Sequence, residues 1–268
     1  MLYGGNVIMK IGLLGAGNMG GALLRAIASL GEHDIVVFDP VKTIADFDGI
    51  GDKVRFSAAE SEAVKGSDLL IVALKPAVID NVCKKIAGDI DVTKTVVLSV
   101  AAGVKTSLYE QYFGDVRIIR TMPNIPALCG KGYTGIYFKN VDDQAMKDSV
   151  LRIFNSMGET GVFNNEDMID RLIPVTSSSP AYICMLIEAM ADGAVKLGFQ
   201  RAEAYKMCEQ AVLGTAEYLK ETGMHPAEMK DRVCSPAGTT IEAVLALEEN
   251  GFRNSILKAM DKCYAKIK

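Results

Sequence analysis

The sequence predicts an α/β fold in which an N-terminal Rossmann-type, doubly wound parallel sheet is followed by a C-terminal all-helical domain. Three observations support this prediction. Short apolar, β-branched runs alternate with helical segments up to about residue 163. A glycine-rich turn, "GLLGAGNMGGALL" (12–24), joins the first run to the first helical segment. After Asn165 the strand-like runs stop, and helical patterns continue to the C-terminus.

The predicted strands carry apolar residues at successive positions rather than at alternate ones. This pattern is typical of strands that are covered on both faces, as in a parallel sheet. The predicted strands are 9–14, 34–39, 68–74, 95–100, 116–121, 132–138 and 159–163. Because helical segments separate them, we expect crossover connections and a parallel sheet.

The C-terminal part contains four helical patterns, at 177–199, 201–223, 240–251 and 251–267. In the first of them, Ser179 is a candidate N-cap, Pro180 suits the first helical position, and Gly198 suits a C-terminal stop. That helix is apolar around much of its circumference, which favours either an interlocked dimer or a buried core helix. We place the domain boundary near residue 164, with a dinucleotide-binding domain at 1–163 and a helical dimerisation and substrate domain at 164–268.

Composition excludes several classes of protein. A formal net charge of −4 argues against broad binding to nucleic acids or membrane surfaces, which needs a basic face. The first ten residues lack the apolar core of a signal peptide, and we find no apolar run that approaches the roughly 20 residues of a membrane span. The six cysteines are widely spaced and accompany two histidines, so we expect no metal site. We interpret them as free, buried thiols of a cytoplasmic protein.

The glycine-rich turn has the context of a phosphate-binding loop: a strand, the glycines, a helix over 18–30, and a second strand that ends in an acid. Gly15 suits the tight turn, Gly17 lets a pyrophosphate approach the backbone, and Gly20 allows close packing of the helix on the strand. The helix N-terminus adds free N–H groups and a positive dipole end. The pattern therefore predicts dinucleotide binding, although glycines also serve simple tight turns.

Asp39 ends the second strand, 19 residues beyond Gly20. A carboxylate at this position accepts hydrogen bonds from the ribose hydroxyls and repels a 2′-phosphate, so we expect NADH rather than NADPH. Two alternatives remain open. Asp39 and Pro40 form a sequence that starts turns, and Lys42 is near enough to meet a phosphate.

The stretch "SPAGTTIEAVLALEENG" predicts a second anion site at a helix start. Thr239 and Glu242 have the spacing of a capping box, and the tight loop through Gly238 directs the free N–H groups one way. Such a terminus suits a carboxylate, with the hydroxyls of Ser235 and Thr240 as additional donors. An ordinary capped helix is the alternative.

Six segments in this order resemble the pyrroline-5-carboxylate reductase family along nearly the whole chain: "IGLLGAGNMGGALL", "LIVALKPAVI", "LSVAAGV", "RTMPNIPA", "SSSPAYICMLIEAMADGAVKLGF" and "VCSPAGTTIEAVLALEENGFR". The resemblance implies a Rossmann domain, a helical dimerisation domain, and an active site where the nicotinamide meets the partner subunit's helical domain. It implies hydride transfer from NADH or NADPH to the C=N bond of 1-pyrroline-5-carboxylate, giving L-proline. A homodimer, or a larger assembly of dimers, is expected.

The expected site residues form two groups. The cofactor group, in which residues 73–76, 101 and 124 rest on the resemblance alone, is Gly15, Ala16, Gly17, Asn18, Met19, Gly20, Asp39, Ala73, Leu74, Lys75, Pro76, Ala101 and Asn124. The substrate group is Ser235, Gly238, Thr239 and Thr240. By the resemblance, Thr240 matches the residue often proposed as proton donor. Because a threonine hydroxyl is a poor acid in water, we expect Thr240 to orient the imine nitrogen or to relay a proton.

The chain departs from the family pattern at three places. The family usually reads G-S-G at 177–179, where this chain has three serines, and it usually has glycine where Ala237 stands. It commonly has threonine where Ile125 stands. The residues that replace glycines add Cβ atoms beside the expected pocket and restrict positive φ. They leave open a reductase of another cyclic imino acid, such as a six-membered ring, and a non-catalytic nucleotide-binding protein.

Overall fold

An eight-stranded sheet organises the N-terminal part of the computed structural model, which describes residues 8–267. The strands are β1 (Lys10–Leu14), β2 (Asp34–Phe38), β3 (Val54–Phe56), β4 (Leu69–Val72), β5 (Val96–Ser99), β6 (Arg117–Met122), β7 (Gly132–Lys139) and β8 (Gly158–Val162). Their order is β3-β2-β1-β4-β5-β6-β7-β8. This is the order of a doubly wound Rossmann sheet, extended at one edge by β7 and β8, and it confirms the predicted fold class. The expectation of no signal peptide rests partly on residues 1–7, which lie outside the described residues.

One pair of strands departs from the parallel arrangement of the sheet. β7 runs antiparallel to β6, with Thr121 opposite Ile136. The connection between them, residues 123–131, is too short for a crossover, which needs a dozen or more residues. β3 was not predicted, because three residues are too few to produce a periodic pattern.

Helices cover both faces of the sheet. They are α1 (Asn18–Leu30), α2 (Glu60–Val64), α3 (Pro76–Ile86), α4 (Thr106–Phe113), α5 (Gln144–Asn155) and α6 (Asp167–Leu172). Successive residues of β1 point to opposite faces: Leu13 packs in the core that contains residues of α1 and α5, and Leu14 in the core that contains residues of α3 and α4. Each fully buried side chain of this size stabilises the fold by roughly 1.5–3 kcal/mol. The continuous apolar runs in the sequence follow from this two-sided burial.

The C-terminal part is helical, as predicted, and has five helices rather than four among the described residues. They are α7 (Ser179–Lys196), α8 (Arg201–Thr222), α9 (Pro226–Val233), α10 (Thr239–Glu249) and α11 (Phe252–Ile267). The short helix α9, outside the four predicted patterns, begins after His225, whose Nδ1 accepts the N–H of Ala227 at 3.2 Å. The predicted N-cap of α7 is wrong by one residue, since Ser178 occupies that position with helical φ and ψ. A π-helical turn, Ile173–Ser177, runs directly into α7, so no extended cap residue is needed.

Contacts within the chain divide it into two compact units, one ending at Ser177 and the other comprising Ser178–Lys266. Helix α6 belongs to the first unit because Asp170 on that helix pairs with Arg120 of β6. The sheet unit therefore extends beyond residue 164. The division into functional domains at 1–163 and 164–268 stays a prediction.

Helix α7 is apolar but is not buried by its own chain. Of its 18 residues, Ala191 is buried, while Met185 is 69% exposed. By length and composition alone, the helical stretch Asp167–Lys196 could cross a bilayer. In the most apolar 18-residue part of that stretch, 11% is buried within the protein. Polar residues interrupt its apolar positions, so no continuous apolar run marks this stretch in the sequence.

All six cysteines are free thiols. Cys83 and Cys208 are buried, but the other four reach the surface at least partly, so the prediction of buried thiols is wrong for them. Cys184 illustrates the reason, because it lies on the uncovered helix α7. Among residues 8–267, no group of three or more potential metal ligands lies together.

His33 is buried beside β2, and we expect it to make stability depend on pH. Its Nδ1 accepts the N–H of Met9 at 3.3 Å, which requires the neutral imidazole. Burial, reinforced by the charge of Lys53 and opposed by that of Asp34, lowers the pKa of His33. The unfolded chain therefore binds more protons below about pH 6.5, and the free energy of unfolding falls as pH falls through that value.

The measurement is urea unfolding at pH 7 and pH 5.5 for the wild type, His33→Asn and His225→Asn. Asparagine keeps an acceptor for the N–H of Met9 but does not titrate. Between pH 7 and pH 5.5, the free energy of unfolding of His33→Asn should therefore fall by about 1 kcal/mol less than that of the wild type. His225 is exposed and serves as the matched control. Equal losses in the wild type and His33→Asn would contradict the prediction.

Candidate cofactor and substrate sites

The glycine-rich turn lies between β1 and α1, and two of its glycines are required by the protein's own packing. Gly15 has φ +92°, and a Cβ there would lie 2.5 Å from the carbonyl oxygen of Ala73. The N–H of Gly15 donates to the carbonyl of Phe38 at 2.8 Å. A Cβ on Gly20 would lie 2.0 Å from the carbonyl oxygen of Gly15. These contacts make the turn tight and bring the first turn of α1 close to it.

Gly17 differs from Gly15 and Gly20, because nothing in the part of the chain that the structure describes requires a glycine there. Its φ is −68°, and a Cβ would meet no atom within 4 Å. Gly17 is the exposed N-cap of α1, and the first turn of that helix carries no acidic residue. The free N–H groups at this terminus, including those of Asn18 and Met19, are therefore open to a ligand. A bare backbone at a helix N-terminus fits the pyrophosphate of a dinucleotide.

Asp39, which follows β2, is bonded to the glycine-rich turn. One carboxylate oxygen accepts the N–H of Ala16 at 2.7 Å, and the other accepts the N–H groups of Val41 and Lys42 at 2.8 Å. Burial alone would raise the pKa of Asp39, but these hydrogen bonds outweigh it and lower the pKa, so the group is a carboxylate at neutral pH. Asp39 thus starts a turn, as one alternative supposed, and also places a negative charge beside the loop.

Lys42 does not present a free ammonium group to this region. Its Nζ lies 2.8 Å from a carboxylate oxygen of Asp46, one helical turn further along the chain. Both residues line a groove of about 560 Å³ that also borders Gly17, Asn18 and Arg25. The charge of Lys42 is therefore largely balanced by Asp46.

The other expected cofactor residues follow neighbouring parallel strands. Residues 73–76 connect β4 to α3, Ala101 follows β5, and Asn124 follows β6. Because β1, β4, β5 and β6 are adjacent, these connections share one edge of the sheet with the glycine-rich turn. The chain changes its direction of sheet growth between β1 and β4, which places the crevice where dinucleotides bind in this type of sheet.

Asn124 makes structural bonds with both ends of its amide. Its Nδ2 donates to the carbonyl of Thr176 at 2.9 Å, and its Oδ1 accepts the N–H of Tyr133 at 3.0 Å. The side chain therefore ties the end of β6 to β7 and to the π-helical turn. Any contact with a cofactor at this position is additional to that role.

A buried ionic cluster below this edge was missed by the sequence analysis. Arg120 of β6 is 1% exposed and pairs with Asp170 and with Glu166, the latter at 3.2 Å. Lys105 adds a second cation 2.9 Å from Asp170. The available signal was Arg120 itself, because it directly follows the apolar pair Ile118 and Ile119 within a predicted strand, and a charged residue buried in a strand is paired.

The expected substrate residues lie together in the loop before α10 and in the first turn of that helix. Gly238 is the N-cap of α10, and a Cβ there would lie 2.3 Å from Oγ of Ser235, so the serine hydroxyl covers the glycine. The predicted capping box is wrong: Thr239 is the first helical residue rather than the cap, and no side chain caps this helix. The N-terminal N–H groups near Thr239 and Thr240 therefore lack the acceptor that a capping box would supply.

Ala237 adopts φ +55°, a left-handed conformation that glycine favours. This is the position where the sequence departs from the family pattern. Alanine thus keeps the left-handed conformation at this position, which costs the fold roughly 1–2 kcal/mol of stability.

The structure thus groups the predicted residues in two places. The cofactor residues share the carboxyl edge of the sheet in the first unit, and the four substrate residues share one loop and helix start in the second. Their assignment to these roles stays a prediction.

Comparison with known proteins relates both units to one family. A family model described as pyrroline-5-carboxylate reductase dimerisation matches residues 166–268, and one described as NADP oxidoreductase, coenzyme F420-dependent, matches residues 10–103. A pyrroline-5-carboxylate reductase of Escherichia coli (strain K12) is 43% identical over 265 residues, which cover 96% of each chain.

Solved structures agree with this relation. A pyrroline-5-carboxylate reductase from Coxiella burnetii has a TM-score of 0.88 at 29% identity and covers 97% of this chain and 98% of its own. A pyrroline carboxylate reductase from Plasmodium falciparum with NADP bound has a TM-score of 0.86 at 25% identity, with 98% of each chain covered.

Proposed function

The chain belongs to the pyrroline-5-carboxylate reductase family, and on this premise we propose that it reduces 1-pyrroline-5-carboxylate to L-proline with a nicotinamide nucleotide. The observation that carries the proposal is Gly17, where the backbone is bare although the protein's own packing does not require it. An NAD(P)H-dependent oxidoreductase that acts on an imine in proline biosynthesis accounts for both this cradle and the family membership.

The residues of the first unit would hold the nucleotide at the carboxyl edge of the sheet. Residues 16–20 would hold the pyrophosphate through the free N–H groups at the start of α1, because the N–H of Ala16 is already bonded to Asp39. Residues 73–76, Ala101 and Asn124 would line the path to the nicotinamide. When bound, the reduced nicotinamide supplies the hydride that the imine carbon receives. The task of the protein is to hold the imine in contact with it and to exclude water.

The residues of the second unit would bind the substrate carboxylate. The uncapped N-terminus of α10 offers free N–H groups, and Ser235, Thr239 and Thr240 offer hydroxyl donors. We propose that this loop faces the nicotinamide site of a partner subunit, so that two chains complete each active site. The Thr240 hydroxyl would orient the imine nitrogen or relay a proton to it.

The first experiment measures initial rates of NADH and NADPH oxidation with 1-pyrroline-5-carboxylate and, in parallel, with the corresponding six-membered cyclic imine. Turnover with the five-membered ring supports the proposal. A higher kcat/KM with the six-membered ring would indicate the paralogous reductase instead. Nucleotide binding without turnover on either imine would indicate a non-catalytic protein.

We expect NADH to be preferred over NADPH, because Asp39 places a carboxylate beside the loop and Lys42 is paired with Asp46. Asp39→Asn should lower kcat/KM for NADH relative to NADPH by about tenfold, the equivalent of one charged hydrogen bond. The matched control is Asp48→Asn, which removes an exposed charge from the same segment. A wild-type preference for NADPH, or an unchanged ratio in Asp39→Asn, would contradict this assignment.

Thr240→Ala should retain measurable reductase activity, with kcat lowered by less than about a hundredfold, because an orienting hydroxyl contributes less than a general acid. Steady-state kinetics over a range of imine concentrations measures this. A loss of a thousandfold or more, with substrate binding unchanged, would instead assign Thr240 as the proton donor.

We propose a homodimer, or an assembly of dimers, formed through the helical unit. The exposed apolar side chains of α7 and the dimerisation family model support it. A partner chain then covers the apolar stretch, and the protein acts in the cytoplasm without nucleic-acid or membrane partners. Sedimentation velocity at micromolar concentration tests this, and a clean monomer would overturn it.

A further inference from the structure

Helix α4 is capped by a residue from a distant part of the chain. Its N-cap, Lys105, has no side-chain acceptor, so it cannot satisfy the free N–H groups of the first turn. Glu166 supplies the missing acceptor. One of its carboxylate oxygens accepts the N–H of Thr106 at 2.7 Å, and the other accepts the Thr106 hydroxyl at 3.0 Å. A carboxylate at this position also interacts favourably with the helix dipole.

The capping carboxylate of Glu166 is itself bonded to Arg120 of the sheet. Arg120 on β6 donates from NH1 to Glu166 at 3.2 Å and is itself held by Asp170. Because Arg120 is buried and bonded to both acids, the position of Glu166 is fixed by the packing of α6 against β6. The cap is thus a rigid attachment between α4 and the centre of the sheet.

Helix α4 is connected by hydrogen bonds to the loop after β5. Tyr109 on α4 is fully buried, and its hydroxyl lies 2.6 Å from the hydroxyl of Ser99, the last residue of β5. The same Ser99 oxygen accepts the N–H of Ala101 at 3.2 Å. Ala101 is the residue of this loop that is expected to line the path to the nicotinamide. A continuous series of hydrogen bonds and packed elements therefore runs from Glu166 to Ala101.

We infer that Glu166 is a positioning residue for the reductase reaction: by capping α4 it fixes Ala101 at the nicotinamide end of the cofactor site. The inference rests on the proposed function, since Ala101 has its role only if a nicotinamide nucleotide binds there. Glu166 acts in this inference only through its bonds to Thr106 and Arg120.

The test compares Glu166→Ala and Glu166→Gln with a neighbouring control, Asp167→Asn. Asp167 is the next residue along the chain and bonds Lys105, at 2.5 Å, whereas Glu166 bonds Thr106 and Arg120. The first readout is amide hydrogen exchange of residues 101–106 in the protein without nucleotide. Exchange at Thr106 should be about tenfold faster or more in Glu166→Ala, because a charged hydrogen bond is lost. Glu166→Gln keeps an acceptor and should fall between, and Asp167→Asn should match the wild type.

The second readout is the affinity for NADH, measured by fluorescence titration, together with KM for the imine. Glu166→Ala should weaken NADH binding by about tenfold, with partial rescue in Glu166→Gln, while KM for the imine stays unchanged. Unchanged exchange, or faster exchange with unchanged NADH affinity and kcat, would overturn the inference. If wild-type protein binds NADH but reduces neither imine, the proposed function fails, and weaker NADH binding in Glu166→Ala still supports the positioning role.

Discussion

Replacing Asp170 by alanine is expected to lower the free energy of unfolding of the sheet unit by about 3–5 kcal/mol. Arg120 is 1% exposed and loses its buried partner in this variant. The remaining acid, Glu166, is half-buried and also bonded to Thr106, so it does not replace the lost pair. A buried guanidinium with too few acceptors is costly because its desolvation is no longer offset.

Urea unfolding at pH 7 measures the effect, with Asp167→Ala as the control. Asp167 pairs with Lys105 as Asp170 does, but its side chain is 59% exposed, so its removal should cost less than about 1 kcal/mol. Similar losses in the two variants would contradict the prediction, because they would show that burial of Arg120 does not set the cost.

The stabilisation that the cluster provides should persist at mildly acidic pH. Burial alone raises the pKa of Asp170, but the bonds from Arg120 and Lys105 outweigh burial and lower the pKa below its usual value. The stability that Asp170 contributes is therefore present at neutral pH and is lost only as pH falls below about 4.

Replacing Gly17 by alanine is expected to weaken nucleotide binding by about a hundredfold, or about 2.7 kcal/mol, with little effect on folding. The added methyl group meets no atom of the protein within 4 Å, and φ at this position is ordinary for any residue. It would, however, stand where the pyrophosphate approaches the backbone. Because alanine is a poorer N-cap than glycine, we expect a stability change below about 1 kcal/mol.

Gly15→Ala is the matched contrast, since its φ is +92° and its Cβ would contact Ala73 at 2.5 Å. It should destabilise the fold as well as weaken binding. Fluorescence titration with NADH and thermal unfolding of both variants separate the two effects. Wild-type affinity in Gly17→Ala would remove the main structural support for the cofactor site.

The sheet could be predicted from the sequence because two-sided burial leaves a strong mark, a run of apolar residues at successive positions. The glycine-rich turn could also be predicted, since the spacing of its glycines between a strand and a helix is a recognisable pattern, and packing requires two of them, Gly15 and Gly20. The direction of β7 does not show in the pattern of Gly132–Lys139 itself, and its signal in the sequence is the connection over residues 123–131, which is too short for a crossover. Its direction is set by the short connection before it.

The ionic cluster around Arg120 and the capping of α10 could not be predicted from the sequence, for different reasons. Arg120 and Asp170 are far apart in the sequence, and only the packing of α6 on β6 brings them together. The spacing of Thr239 and Glu242 matches a capping box, but Gly238 already occupies the cap position. Spacing alone cannot distinguish a cap residue from the first residue of the helix.

Helix α7 buries Ala191 within its own chain and leaves much of its apolar surface to be covered. In the proposed dimer, the burial energy of this helix is released only on association, so mass action sets the stability of the helical unit. Dilution then acts on this half of the chain as a denaturant would, while the sheet unit keeps its own core. In such a dimer, the helical unit would be least stable where the concentration of the protein is lowest.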